Sequence, residues 1–190
     1  MEVLADIPFE LDAAALMEKA HVEPGGDDEA EFRQLLERAR VVARPKALYR
    51  ECFIEARGGD TVTLGGITFT SPVLRKNLDK VERVFPYIAT CGRELDGVPV
   101  PAGDYLKEFW LDAIKMAVLG AAREHLARHL AERFALAKAS NMNPGSGDAN
   151  VWPIEQQKEL FALLGAVKER IGVELTDSFL MTPKKTVSGI

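Results

Sequence analysis

Residues 104–138, DYLKEFWLDAIKMAVLGAAREHLARHLAERFALAK, run without a proline and carry apolar groups at helical spacing. Asp104 offers a side-chain acceptor for the free amides of a first turn. Leu106, Trp110, Ile114, Ala117, Ala121, Glu124 and Ala127 then recur at helical positions, which predicts one long central helix with Gly120 as its place to bend. Upstream, Thr61–Leu64 and Ile67–Thr70 alternate around Gly65-Gly66, a pair able to take the positive φ of a tight hairpin. A long helix beside antiparallel strands defines the class as α+β, with helices segregated from a mainly antiparallel sheet.

Working outward, Asp12 caps a short helix with Leu16, Met17 and Ala20 on one face, and Pro24-Gly25-Gly26 breaks it. A second helix starts at Asp27 or Asp28 and places Phe32, Leu35, Leu36 and Ala39 on one stripe. Strands are expected over Ala47–Ala56 and Val81–Thr90, the latter interrupted or edged at Pro86 and ended by Gly92, with a short helix over Ser71–Leu78 between them. Residues 140–153, SNMNPGSGDANVWP, concentrate loop formers; a helix follows over Ile154–Leu164, stopped by Gly165, and residues 173–190 read as extended.

The 190 residues are 47% hydrophobic and 28% charged, the composition of a globular chain with its own core. The net charge of −5 argues against nucleic-acid binding, which needs a basic face to displace phosphate counterions. Cys52 and Cys91 form no CxxC pair and have no partner at metal-ligand spacing, so they read as reduced, buried thiols. No basic n-region followed by an apolar run opens the chain, and no stretch is long enough to span a membrane. These readings imply a cytoplasmic protein.

Candidate chemistry is sparse. The loop Asn143-Pro144-Gly145-Ser146-Gly147-Asp148 offers backbone amides unobstructed by large side chains, as close approach to a carboxylate or phosphate requires, yet it matches neither a P-loop nor GxGxxG. His125 and His129 sit one helical turn apart, but without a third ligand nearby they read as a polar face. Glu124 and His125 are adjacent and so point about 100° apart, which is no catalytic dyad. Trp110 and Phe109 read as core, and Lys184-Lys185 as a solvated turn. Trp152 follows a polar loop and has two readings, a pocket wall or an anchor to the core.

Read in order, Pro144-Gly145, Trp152-Pro153, Leu163-Leu164, Ile171-Gly172, Leu175-Thr176-Asp177-Ser178 and Val187-Ser188-Gly189 resemble the activation domain of cobalamin-dependent methionine synthase and stand-alone proteins related to it. A weaker likeness continues upstream through Ala43-Arg44-Pro45-Lys46-Ala47, Gly66-Ile67-Thr68-Phe69 and the segment Ala89–Asp96. The resemblance implies a C-shaped α+β fold with a mainly antiparallel sheet, a long central helix and flanking helices. Residues 1–43 would form an N-terminal helical region and residues 44–190 the activation-domain-like region, together one compact unit.

The resemblance further implies S-adenosylmethionine as cofactor, and cobalamin or another corrinoid carried by a partner. That partner would be a corrinoid-binding protein or a methionine synthase lacking its own activation domain, with a flavodoxin- or ferredoxin-like electron donor. Methyl transfer to the reduced corrinoid needs positioning and no general base. The implied ligand contacts are Asn141, Pro144, Gly145, Ser146, Gly147, Asp148 and Trp152, with Glu124 as the helix-borne acid. Where the family carries an Arg and a Tyr flanking its Pro-Gly, this chain has Asn141 and Ser146. Asn cannot grip a carboxylate bidentately as Arg does, and this departure leaves a second reading: a docking module that has lost S-adenosylmethionine.

Overall fold

The computed structural model describes residues 1–146 and 151–190. The N-terminal part comprises β1 (Glu2–Leu4), α1 (Ala13–Lys19), α2 (Glu29–Val42), β2 (Lys46–Tyr49) and β3 (Cys52–Arg57). Then come β4 (Thr61–Leu64), β5 (Ile67–Thr70), α3 (Pro72–Asn77), β6 (Arg83–Val84), β7 (Tyr87–Thr90) and the long α4 (Tyr105–Phe134). A short 3-10 turn (Ile154–Gln156) leads into α5 (Gln157–Leu164), α6 (Val167–Ile171), β8 (Glu174–Leu175), β9 (Met181–Thr182) and β10 (Thr186–Gly189).

Two four-stranded sheets, β1-β2-β7-β10 and β5-β4-β3-β6, are antiparallel throughout. Each strand expected over 47–56 and 81–90 is split between them. The chain leaves β2 at Arg50 and re-enters pairing at Cys52, while its neighbour breaks at Phe85-Pro86. Both breaks fall side by side, and the Arg50 amide donates to the Pro86 carbonyl at 3.0 Å. Proline has no N–H for a ladder, so the sheet turns where its hydrogen bonding is already interrupted.

Alternation along the first sheet places it between two cores. Ala47, Tyr49, Tyr87 and Ala89 face α1, α2 and α4. Leu48 and Ile88, paired across β2 and β7, face the second sheet together with Trp152 and the apolar stripe of α5 and α6. In the first core Trp110 meets Phe32 edge to face at 5.6 Å. Each such fully buried large side chain contributes roughly 1.5–3 kcal/mol from burial.

Local signals explain most boundaries. Asp12 Oδ1 accepts from the amides of Ala14 and Ala15, and Asp104 caps α4 through the Lys107 amide. α2 lacks a side-chain cap at Asp28; instead Glu29 reaches back to the Gly25 amide and forward to Arg33. α4 passes unbroken through Gly120 and stops at Phe134, before the expected Lys138, because Ala135 turns left-handed and returns its amide to Ala131. The first residues add a strand to the expected N-terminal helices, with Glu2 opposite Tyr49. Phe109, expected in the core, is 45% exposed on the outer face of α4, where it stacks on His21. Among the described residues no helix is long and apolar enough to cross a membrane.

Candidate functional site

The loop after α4 is stitched to the C-terminal strand. Met142 and Ile190 exchange both backbone hydrogen bonds, at 2.9 and 3.0 Å. Asn143 Nδ2 donates to the Ser188 carbonyl at 2.6 Å and to Tyr87 Oη at 3.1 Å, and Asn141 Nδ2 donates to the same phenol at 3.0 Å. Gly189 must be glycine here, since a Cβ would run into the Met142 carbonyl and lie 2.7 Å from Asn143 Nδ2. Asn143–Ser146 then closes a turn with Pro144 second and Gly145 third, at φ 72°. That is the type II arrangement, in which the third residue must take a positive φ.

This geometry corrects the expectation of open loop amides. Gly145 donates its N–H to the Trp152 carbonyl at 2.8 Å, and Ser146 donates to the Asn143 carbonyl at 3.2 Å. A Cβ on Gly145 would press on Ile154 at 3.0 Å, so the glycine serves the turn and its inner contact rather than a ligand's approach. The Trp152 side chain is fully buried, edge-on to Phe69 at 6.0 Å, and its Nε1 donates to Gln156 Oε1 at 3.1 Å. It is thus the anchor to the core and not a pocket wall. Gln156 in turn accepts from the Thr70 amide and donates to the Thr70 carbonyl, mimicking a strand along the edge of β5.

Between this loop, α5 and β10 lies an open cleft of about 340 Å³. Its lining is largely apolar and includes Ile154, Phe179, Leu180 and Met181. At its floor sit two buried polar side chains, Ser188 donating through Oγ to Gln157 Oε1 at 2.7 Å. An apolar concavity with few placed polar groups is what a small-molecule site requires. The lip bends sharply: Phe179 has φ 61°, and the turn is fixed by the Leu180 amide donating to Thr176 Oγ1 and the Thr176 amide donating to the Leu180 carbonyl. The Phe179 ring also carries the Lys158 ammonium at 4.6 Å. A non-glycine residue held at positive φ costs about 1–3 kcal/mol, a strain that clusters at ligand sites.

Of the residues expected to bind, Pro144 lines the cleft, and Asn141, Gly145 and Ser146 belong to the same loop with their donors engaged as described. Gly147 and Asp148 lie outside the described residues. Glu124 lies on the exposed face of α4 and does not line the cleft. Sequence reasoning passed over Gln157, Phe179 and Lys184, all of which line it. Val187 and Ser188 had a signal, through their place in Val187-Ser188-Gly189.

Other reactive groups are quiet. Burial pushes the Cys91 thiol up to about 12 and raises that of Cys52, so neither is an available thiolate at neutral pH. His125 and His129 have separate partners: His125 Nδ1 lies 3.1 Å from Arg128 Nη2, while His129 Nε2 lies 3.0 Å from Tyr49 Oη. Among the described residues no cluster of His, Cys, Asp or Glu could hold a metal ion.

Fold and cleft together define an α+β domain with two antiparallel sheets, a long helix and an open, largely apolar cleft beside its C-terminal strand. A scan of protein-family models finds no match, and a search of curated proteins finds none either. Among solved structures, the chain is similar over its whole length to the MetH reactivation domain bound to AdoHcy. The TM-score is 0.64 at 16% identity, covering 77% of that chain. The chain therefore has the fold of that reactivation domain.

Proposed function

We propose that the protein binds S-adenosylmethionine in the cleft under β10 and serves reductive reactivation of a corrinoid carried by a partner methionine synthase or corrinoid methyltransferase protein. One observation carries this reading. Two segments that bear the sequence resemblance, around Pro144-Gly145 and Val187–Gly189, meet at one cleft, and its lip at Phe179–Met181 directly follows a third, Leu175–Ser178. They do so in a chain whose fold matches that of a domain bound to AdoHcy.

The chemistry asks for little beyond placement. The methyl carbon leaves sulfur for cobalt, the S–C pair stays on sulfur, and no proton moves, so orientation is the protein's contribution. The partner would present the corrinoid, and an electron donor of flavodoxin or ferredoxin type would supply the reducing electron. Adding the protein and methyl-labelled S-adenosylmethionine, with a reductant, to a methionine synthase lacking its activation domain should transfer label to the corrinoid and restore turnover. Absence of label transfer with the partner intact would refute the catalytic reading.

A second reading, a docking module without S-adenosylmethionine, is favoured by the engaged loop amides and by Asn141 being tied to Tyr87. The exposed Tyr105, Leu106, Phe109 and Met116 on α4 would supply its contact face. Complex formation with a corrinoid protein, unaltered by S-adenosylmethionine, would favour it.

A further inference from the structure

We infer that Lys184 holds the carboxylate of the ligand in this cleft, taking the part that the loop does not play. The inference rests on the reading of the cleft as the S-adenosylmethionine site. Among the described residues that line the cavity, Lys184 is the charged one; the others are apolar or neutral.

Its position is fixed by its neighbours. The Pro183 carbonyl accepts from Thr186 Oγ1 at 2.7 Å, and the Lys185 carbonyl accepts from the Cys91 amide at 3.0 Å. Lys185 reaches away from the cavity to Asp112 on α4, with Nζ 2.9 Å from Oδ2. Pro183–Lys185 forms the bend between β9 and β10, and within it Lys184 borders the cleft while Lys185 is held to the helix. Unlike Lys185, Lys184 makes no ion pair among the described residues.

The donors of the loop and of Ser188 are already committed. The amides of Gly145 and Ser146, the side-chain amides of Asn141 and Asn143, and the Ser188 hydroxyl all have partners within the protein. Lys158 sits on the Phe179 ring. An ammonium on a flexible stem is a point-charge donor that can meet a carboxylate where an Arg fork is absent. The ligand's adenosine and thioether would then lie against Ile154, Phe179 and Met181.

The test compares AdoHcy with 5′-methylthioadenosine, which keeps the adenosine and thioether but has no carboxylate, on the full chain. In Lys184→Gln the Kd for AdoHcy should rise about tenfold, the size of one charge-assisted hydrogen bond at a partly exposed site, while that for methylthioadenosine moves less than about twofold. Lys184→Arg should restore AdoHcy binding to within about threefold of the wild type. Unchanged AdoHcy affinity in Lys184→Gln, or equal weakening of both ligands, overturns the anchor while leaving the cleft reading standing. Failure of the wild type to bind either ligand overturns both.

Discussion

Replacing Gly189 by Ala tests the stitch between the C-terminal strand and the loop. The added methyl would collide with the Met142 carbonyl, a backbone atom that cannot move unless the Met142–Ile190 pair opens. Relief of the clash removes two backbone hydrogen bonds, and with them the Asn143 bond to the Ser188 carbonyl, since Asn143 Nδ2 would lie 2.7 Å from the new atom. At about 1 kcal/mol each, the loss comes to about 3 kcal/mol. For a chain of this size that lowers Tm by roughly 6–12 °C. Gly97→Ala is the control, because its Cβ meets nothing within 4 Å; it should be neutral or stabilising by up to about 1 kcal/mol. Urea unfolding followed by tryptophan fluorescence and circular dichroism gives the two free energies. Hydrogen exchange at the Met142 and Ile190 amides should accelerate in Gly189→Ala. If that variant is as stable as Gly97→Ala and both amides stay protected, the stitch does not hold the loop.

Three further perturbations separate structural from ligand roles. Trp152→Phe loses the indole bond to Gln156 and part of a filled core site, so stability should fall by about 2 kcal/mol, while AdoHcy affinity stays within about twofold because the ring lies outside the cleft. A larger affinity loss in a folded variant would return Trp152 to the site. Burial, then the Glu2 carboxylate, hold the Tyr49 phenol up to about 12. The folded state keeps that proton longer than the unfolded one, so the associated stability is full below about pH 10 and is lost as pH rises from about 10 to about 12. The amount is about 2–3 kcal/mol. Tyr49→Phe should lose less stability than the wild type between pH 9 and 11.5, and its absorbance titration should lack the latest phenolate step. Cys52 and Cys91, both buried, should react with a thiol reagent only at the rate of unfolding; rapid labelling of the native protein would show an open path to them.

Periodicity made much of this fold legible, because α4 and the β4–β5 hairpin satisfy their backbone groups locally. Asp12 and Asp104 announce their helices for the same reason: a cap needs only the next three residues. The strand breaks at Arg50 and Pro86 were not legible as a change of sheet. Pro86 marks an interruption, but its meaning depends on the Arg50 amide across the sheet. β1 is three residues long, and its pairing partner lies far along the chain.

Site reasoning met the same limit. Glycine and proline located the loop correctly, since the turn at Gly145 needs them. Whether its amides were free depended on the carbonyls of Trp152 and Asn143, and composition says nothing of those partners. Trp152 follows polar residues in sequence and yet enters the second core, because the loop ends where α5 begins to bury its apolar stripe. Lys184 lies exposed in the turn between β9 and β10, as its sequence implies; that this turn also borders the cleft depends on packing the sequence does not display.

The most direct test of the account is a calorimetric titration of the full chain with AdoHcy, followed by S-adenosylmethionine. Saturable binding of both at one site per chain is the predicted result. No heat from either ligand at millimolar concentration would contradict the account and leave the corrinoid-protein docking module in its place.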